Sequence, residues 1–159
     1  MPRSPSKSPS RPGSGLEDHL GFWLRFVSNY VSARFRRLLE EEGSSVNEWV
    51  ALRCLFNRRE TTHAALIQAL GMTKGAASKI VSRLEAKGLA ERRLADGSSR
   101  EQVLVLTKAG TALVPRLAAL ADQNEEHCFG HLGKQRRREL LRVFQALVAH
   151  HQLKEIPTE

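Results

Sequence analysis

The chain has 159 residues, with 25 lysines and arginines against 17 aspartates and glutamates, for a formal net charge of +8. That length supports one domain with its own core and is short for two, while the charge suits a polyanion such as nucleic acid or an anionic membrane surface. The membrane option has no support, because no apolar run approaches a transmembrane length and the N-terminus lacks the apolar centre of a secretion signal. The two cysteines, Cys54 and Cys128, lie far apart without CxxC spacing. They fit a reducing cytoplasm and read as small buried hydrophobes; a redox role requires an exposed, electropositive thiol.

In chain order, residues 1–15, MPRSPSKSPSRPGSG, hold three cations, no acid and repeated Ser-Pro steps. This segment has too little apolar surface to order itself and reads as a disordered basic tail, with an arm that tracks phosphates as the alternative. From Leu16 onward Leu20, Trp23, Leu24, Val27, Tyr30, Val31 and Leu38 recur at three- and four-residue steps, predicting a long helix over about 16–42 that stops at Gly43. A second helix follows Ser45 and carries Val46, Trp49, Val50, Leu52 and Leu55. A third starts at the capping residue Thr62, bears Leu66, Ile67 and Leu70, and is closed by Gly71.

Thr73 then caps a fourth helix that ends at Gly88, which suits a left-handed residue. Its apolar stripe is Ala77, Ile80, Val81 and Leu84, and its other face offers Gly75, Ser78, Lys79 and Ser82, with Arg83 alongside. Small and cationic side chains let a helix backbone approach a major groove while hydroxyls and ammonium groups reach base edges and phosphates. Two helices joined by Gly71 before Thr73 form a helix-turn-helix. A hairpin follows directly, with Leu89 to Leu94 as one arm, Ala95-Asp96-Gly97-Ser98-Ser99 as the turn and Gln102 to Leu106 as the other. Arg92, Arg93 and Arg100 lie on the arms and near the tip, where charge meets a phosphate or enters a narrow minor groove. Thr107 caps a further helix carrying Leu113, Leu117 and Leu120, with a bend expected at Pro115. The break Gly130-His131-Leu132-Gly133 precedes a last helix with Leu140, Leu141, Phe144, Leu147 and Val148. The fold class is thus mainly α with a small β-wing, a winged helix-turn-helix core over about 45–110 flanked by helices on either side.

The run VSRLEAKGLAERR, a turn with Arg100, and LVLTKAG ending at Gly110 resemble the winged-helix core of the MarR family of bacterial and archaeal regulators, and a weaker resemblance runs from about Leu16 to Leu153. The resemblance implies a single MarR-like domain over 16–159, an obligate homodimer, a DNA-reading helix presenting Gly75, Ser78, Lys79 and Ser82, and Arg100 as the wing arginine. Thr73, Lys74, Arg83 and Arg92 complete the DNA-binding set. Family wings commonly carry an aspartate two residues before that arginine, whereas this chain has Ser98 and Ser99, so the wing is looser or recruits Asp96.

Both terminal helices, about 16–42 and 108–153, carry more apolar residues than a small winged-helix core can cover. The excess reads as a dimer interface formed by Leu16, Leu20, Trp23, Leu140, Leu141, Phe144, Leu147 and Val148. In the family, effectors often lodge where the first two helices and the long helix after the wing meet the DNA-binding lobe. Trp23, Trp49 and Arg53 there offer an aromatic wall beside a cation, suited to a small aromatic or apolar carboxylate; two tryptophans on apolar stripes also read simply as core. His127 and His131, one turn apart near Glu125, Glu126 and Cys128, could ligate zinc, but Gly130 falls between them and no second ligand pair is evident, so no metal is expected. Lys134-Gln135-Arg136-Arg137-Arg138 reads as a solvated face. No cofactor motif and no catalytic arrangement is present, which argues against an enzyme. The function that follows is a cytoplasmic, homodimeric, sequence-specific transcriptional regulator, a repressor released by a small molecule, that binds a near-palindromic double-stranded operator. The rival is a basic architectural DNA-binding protein with little sequence preference and no effector.

Overall fold

The computed structural model describes residues 13–58, 60–97 and 100–154. The N-terminal tail read from the sequence therefore lies almost wholly outside the described residues. A 3-10 turn, Leu16–Asp18, precedes helix α1, Leu20–Glu41. The apolar periodicity places the helix start at Leu16, and the structure moves it to Leu20: His19 is extended at φ −103°, ψ 124°, which interrupts the helix. The turn is held from both sides, by the Gly15 amide donating to the Asp18 carboxylate at 2.8 Å and by the Trp23 indole donating to the Glu17 carbonyl at 2.9 Å.

Local chemistry sets most of the remaining boundaries. The Ser45 hydroxyl accepts from the Glu48 amide to open α2, Val46–Phe56. The Thr62 hydroxyl accepts from the Ala65 amide to open α3, His63–Leu70, and Gly71 closes it at φ +63°. Thr73 repeats the device for α4, Lys74–Ala86, and Gly88 leaves it at φ +65°. Strands β2, Ala90–Leu94, and β3, Gln102–Leu106, pair antiparallel in the register Ala90↔Leu106 to Leu94↔Gln102. A third strand escapes the sequence reading: β1, Thr61–Thr62, pairs with the other edge of β3 through Thr61↔Leu104. At two residues it is too short for a period of two, and Thr62 shows only its capping role. Helix α5, Lys108–Phe129, runs on through the exposed Pro115. After a second 3-10 turn, Gly130–Leu132, α6 spans Gly133–His150.

The core gathers Leu39 of α1, Ala51, Leu52 and Leu55 of α2, Leu66 and Leu70 of α3, the stripe Ala77, Ile80, Val81 and Leu84 of α4, Ala90 and Leu104 of the wing, and Val114 and Leu117 of α5. Each fully buried leucine contributes roughly 1.5–3 kcal/mol by leaving water. Two polar fasteners specify how the helices meet. Lys87, just past α4, donates to the Gly43 carbonyl and to both carboxylate oxygens of Glu48, at 2.8, 2.9 and 2.7 Å. Glu48 is only 3% exposed, so Lys87→Ala leaves a buried carboxylate whose remaining side-chain partner is the long 3.5 Å contact with Ser44. A loss of about 1–3 kcal/mol in a denaturant melt is expected, less than for a wholly buried pair because Lys87 is half-exposed; Lys87→Arg should lose less. The second fastener is Asn124 of α5, whose amide donates to the Val31 carbonyl at 3.3 Å and accepts from Arg34 at 3.1 Å, joining α5 to α1.

Candidate nucleic-acid interface

Because Ala77, Ile80, Val81 and Leu84 face the core, helical period turns Thr73, Lys74, Gly75, Lys79, Ser82 and Arg83 outward, and all six are exposed. Ala76 and Ala86 share this surface, so it is small or cationic throughout. The helix's one acid, Glu85, is half-buried and drawn aside by Arg92 of β2 at 3.0 Å. Nothing stands in open space around Gly75, so its missing side chain lowers the surface at the start of the helix without serving a turn. Such a face repels neither phosphate nor base acceptors.

Ser78 stands apart from the other members of the set. It is half-buried at the rim of the face, and its Oγ lies 3.4 Å from Nε2 of His63, the first residue of α3. Sequence reasoning passed over His63, since fifteen residues separate the pair and only the helix-turn-helix angle brings them together.

On the wing, Arg92 and Arg93 leave β2 on opposite faces, as alternate strand residues must. Arg92 meets Glu85 of α4, and Arg93 meets Glu60 at 2.8 Å, so the hairpin is tied to the body from both sides. Arg92 thus shares its charge with a carboxylate, which leaves less of it for a phosphate. Arg100 is exposed ahead of β3; Ser98 and Ser99, where the family aspartate and its neighbour would stand, lie outside the described residues.

Of the residues assigned to an effector, Trp49 packs against the edge of the core. Trp23, on α1, is half-exposed. Arg53 is exposed and its guanidinium sits over the Phe56 ring, 5.5 Å from the centroid. Leu16, Leu20 and Trp23 of the N-terminal end, together with Leu141, Phe144, Leu147 and Val148 of α6, are exposed apolar residues. Leu140 is partly covered, and α6 buries no residue at all. His127 hydrogen-bonds the Tyr30 hydroxyl at 3.0 Å, and among the described residues no group of three or more His, Cys, Asp or Glu gathers as a metal site. Burial pushes the Cys54 thiol above its usual range, with nearby Arg58 pulling the other way, so at neutral pH it is protonated and a poor nucleophile.

Residues 43–101, which span the helix-turn-helix and most of the wing, match the MarR family model. The winged-helix segment is thus similar to members of the MarR family. No curated protein matches the chain. Among solved structures, a MarR family transcriptional regulator from Silicibacter pomeroyi has 23% identity and a TM-score of 0.68, over 89% of this chain and 96% of that one. A Mycobacterium tuberculosis MarR family protein in complex with salicylic acid has 26% identity and a TM-score of 0.64, over 81% and 96%. The Staphylococcus aureus MepR–DNA complex has 19% identity and a TM-score of 0.72, over 83% and 98%. The MarR fold therefore extends beyond the matched segment to the long flanking helices. No helix among the described residues is long and apolar enough to cross a membrane.

Proposed function

We propose that the protein is a cytoplasmic, homodimeric MarR-type regulator that binds a near-palindromic operator as a repressor and is released by a small aromatic or apolar carboxylate. The observation that carries the DNA-binding part is the exposed face of α4, which presents Lys74, Gly75, Lys79, Ser82 and Arg83 without an exposed acid. In this reading Thr73, Ser78, Arg92 and Arg100 add contacts at the rim and wing, and the basic N-terminal tail tracks phosphates. Selection of bound fragments from genomic DNA tests it. A recovered consensus bound at least about 1,000-fold more tightly than competitor DNA supports a regulator, and near-equal affinity supports the architectural rival.

Dimerisation is supported by the apolar residues of α1 and α6 that no element of the chain covers: Leu20 is 88% exposed, Phe26 66% and Leu141 56%. Two recognition helices on one duplex require half-sites centred roughly 10 base pairs apart. Leu147→Asp, on the exposed apolar stripe of α6, should therefore convert the dimer to monomer in sedimentation and lower operator affinity together. A variant that remains dimeric and binds normally moves the interface elsewhere.

The effector part rests on Trp49 and Arg53 and on what related structures hold, salicylic acid in the M. tuberculosis protein and 6-hydroxynicotinic acid as the regulator of Bordetella bronchiseptica BpsR. Trp23, half-exposed on α1, belongs both to the proposed effector set and to the proposed dimer face. Titration with a panel of aromatic acids, followed by tryptophan emission and operator release, tests the assignment; a response untouched by Arg53→Ala removes Arg53 from it.

A further inference from the structure

A serine hydroxyl has one proton to donate and two lone pairs to accept with, so left free at a groove it satisfies base donors and base acceptors alike. Ser78 is not left free. Its Oγ is 3.4 Å from the His63 imidazole, both residues are half-buried, and His63 comes from a different helix, so the contact is made by the fold and is present before any ligand arrives. Thr73 is held only by its own helix, through the cap to the Ala76 amide, and Lys79 and Ser82 are exposed.

We infer that His63 is a positioning residue for sequence reading, which sets the hydrogen-bond polarity of Ser78 and thereby the base it prefers. This rests on the reading of α4 as the DNA-recognition helix. The chemistry has two states. When Nε2 accepts the Ser78 proton, the hydroxyl presents only lone pairs outward, and its partners are the exocyclic amino groups of adenine or cytosine. When Nε2 carries the proton, Ser78 accepts from it and turns its own O–H outward, toward purine N7, guanine O6 or thymine O4. In the first state the imidazole takes the hydroxyl's only proton and leaves an acceptor alone; in the second it occupies one of the two lone pairs and aims the O–H at the groove, which favours donation. The arrangement also holds Ser78 in one rotamer ahead of binding, so less side-chain freedom is lost at the interface.

The test is selection from a randomised duplex library with the full chain, its His63→Ala, His63→Gln and Ser78→Ala variants, and the His63→Ala/Ser78→Ala double variant, followed by affinity measurement on single-base-pair variants of the consensus. His63→Ala and Ser78→Ala are expected to lose preference at the same base pair of each half-site, by about tenfold in relative affinity, and to keep it elsewhere. The double variant should lose nothing further, and His63→Gln, whose amide nitrogen stands near the position of Nε2 and can only donate, should restore a preference for a base acceptor and leave a preference for a base amino group lost. Uniform weakening of every duplex by His63→Ala, or an unchanged consensus, reduces His63 to a structural role and overturns the inference. A wild-type protein that selects no consensus overturns the regulator reading itself, so the two failures are distinguishable.

Discussion

Ser82→Glu should abolish specific operator binding while leaving the fold intact. Ser82 lies midway across the exposed face of α4, on the side opposite the buried Ala77, Ile80, Val81 and Leu84. A carboxylate there faces base acceptors and flanking phosphates, and a like-charge juxtaposition at an interface costs several kcal/mol. A penalty of about 3 kcal/mol or more is a loss of over 100-fold in affinity. Glutamate is at least as good a helix former as serine, and the site is open to solvent, so the thermal midpoint should stay within a few degrees. Fluorescence anisotropy on a selected duplex, beside a circular-dichroism melt, separates the two effects. Unchanged affinity in a folded variant would take α4 out of the interface.

The largest expected loss of stability is at Gly110. A Cβ at this position overlaps the Leu89 carbonyl oxygen, sits 2.9 Å from the Leu89 carbonyl carbon and 3.3 Å from the Leu106 side chain. The obstacle is backbone, and that backbone is held: Leu89 donates to the Leu84 carbonyl at 2.8 Å and accepts from the Thr107 amide at 3.1 Å. Neither partner can withdraw without opening the junction between α4, the wing and α5. Gly110→Ala should therefore cost about 3–4 kcal/mol and lower the thermal midpoint by roughly 10 °C in a chain of this size. Gly75→Ala is the control, since a Cβ there meets nothing within 4 Å and alanine favours the helix. Equal melting of the two variants would show that the close approach at Gly110 relaxes at little cost.

How much was legible beforehand follows from the range over which each feature is encoded. Thr62, Thr73 and Thr107 each accept from the amide three residues on, and the left-handed glycines Gly71 and Gly88 close their helices; all of this is written within a few residues and was readable. The stripe Ala77, Ile80, Val81 and Leu84 was equally plain, because one face of a helix has one period. The apolar residues of α1 show where periodicity stops informing: Leu39 is fully buried while Leu20 and Phe26 stand in solvent, and the same spacing serves both. Period separates apolar from polar faces but does not distinguish a chain's own core from a surface awaiting a partner. What escaped altogether is pairing across the sequence. The Arg92–Glu85 and Arg93–Glu60 ion pairs, the His63–Ser78 contact, the two-residue strand β1 and the Asn124 link to Val31 all depend on the angle at which elements meet, and nothing local announces that angle.

The Asn124 link has a mechanical consequence. Together with Arg34 it opposes sliding of α5 along α1, so the two helices are coupled at this point. At the other end of α5 the Thr107 hydroxyl donates to the Gly88 carbonyl at 2.6 Å and accepts from the Gly110 amide at 3.1 Å, so α5 starts directly against the residue that follows α4. With 22 residues α5 is about 33 Å long, and a tilt of about 5° about that start carries its far end through about 3 Å. Read in reverse, a displacement of that size imposed at the far end acts at the junction where α4 ends.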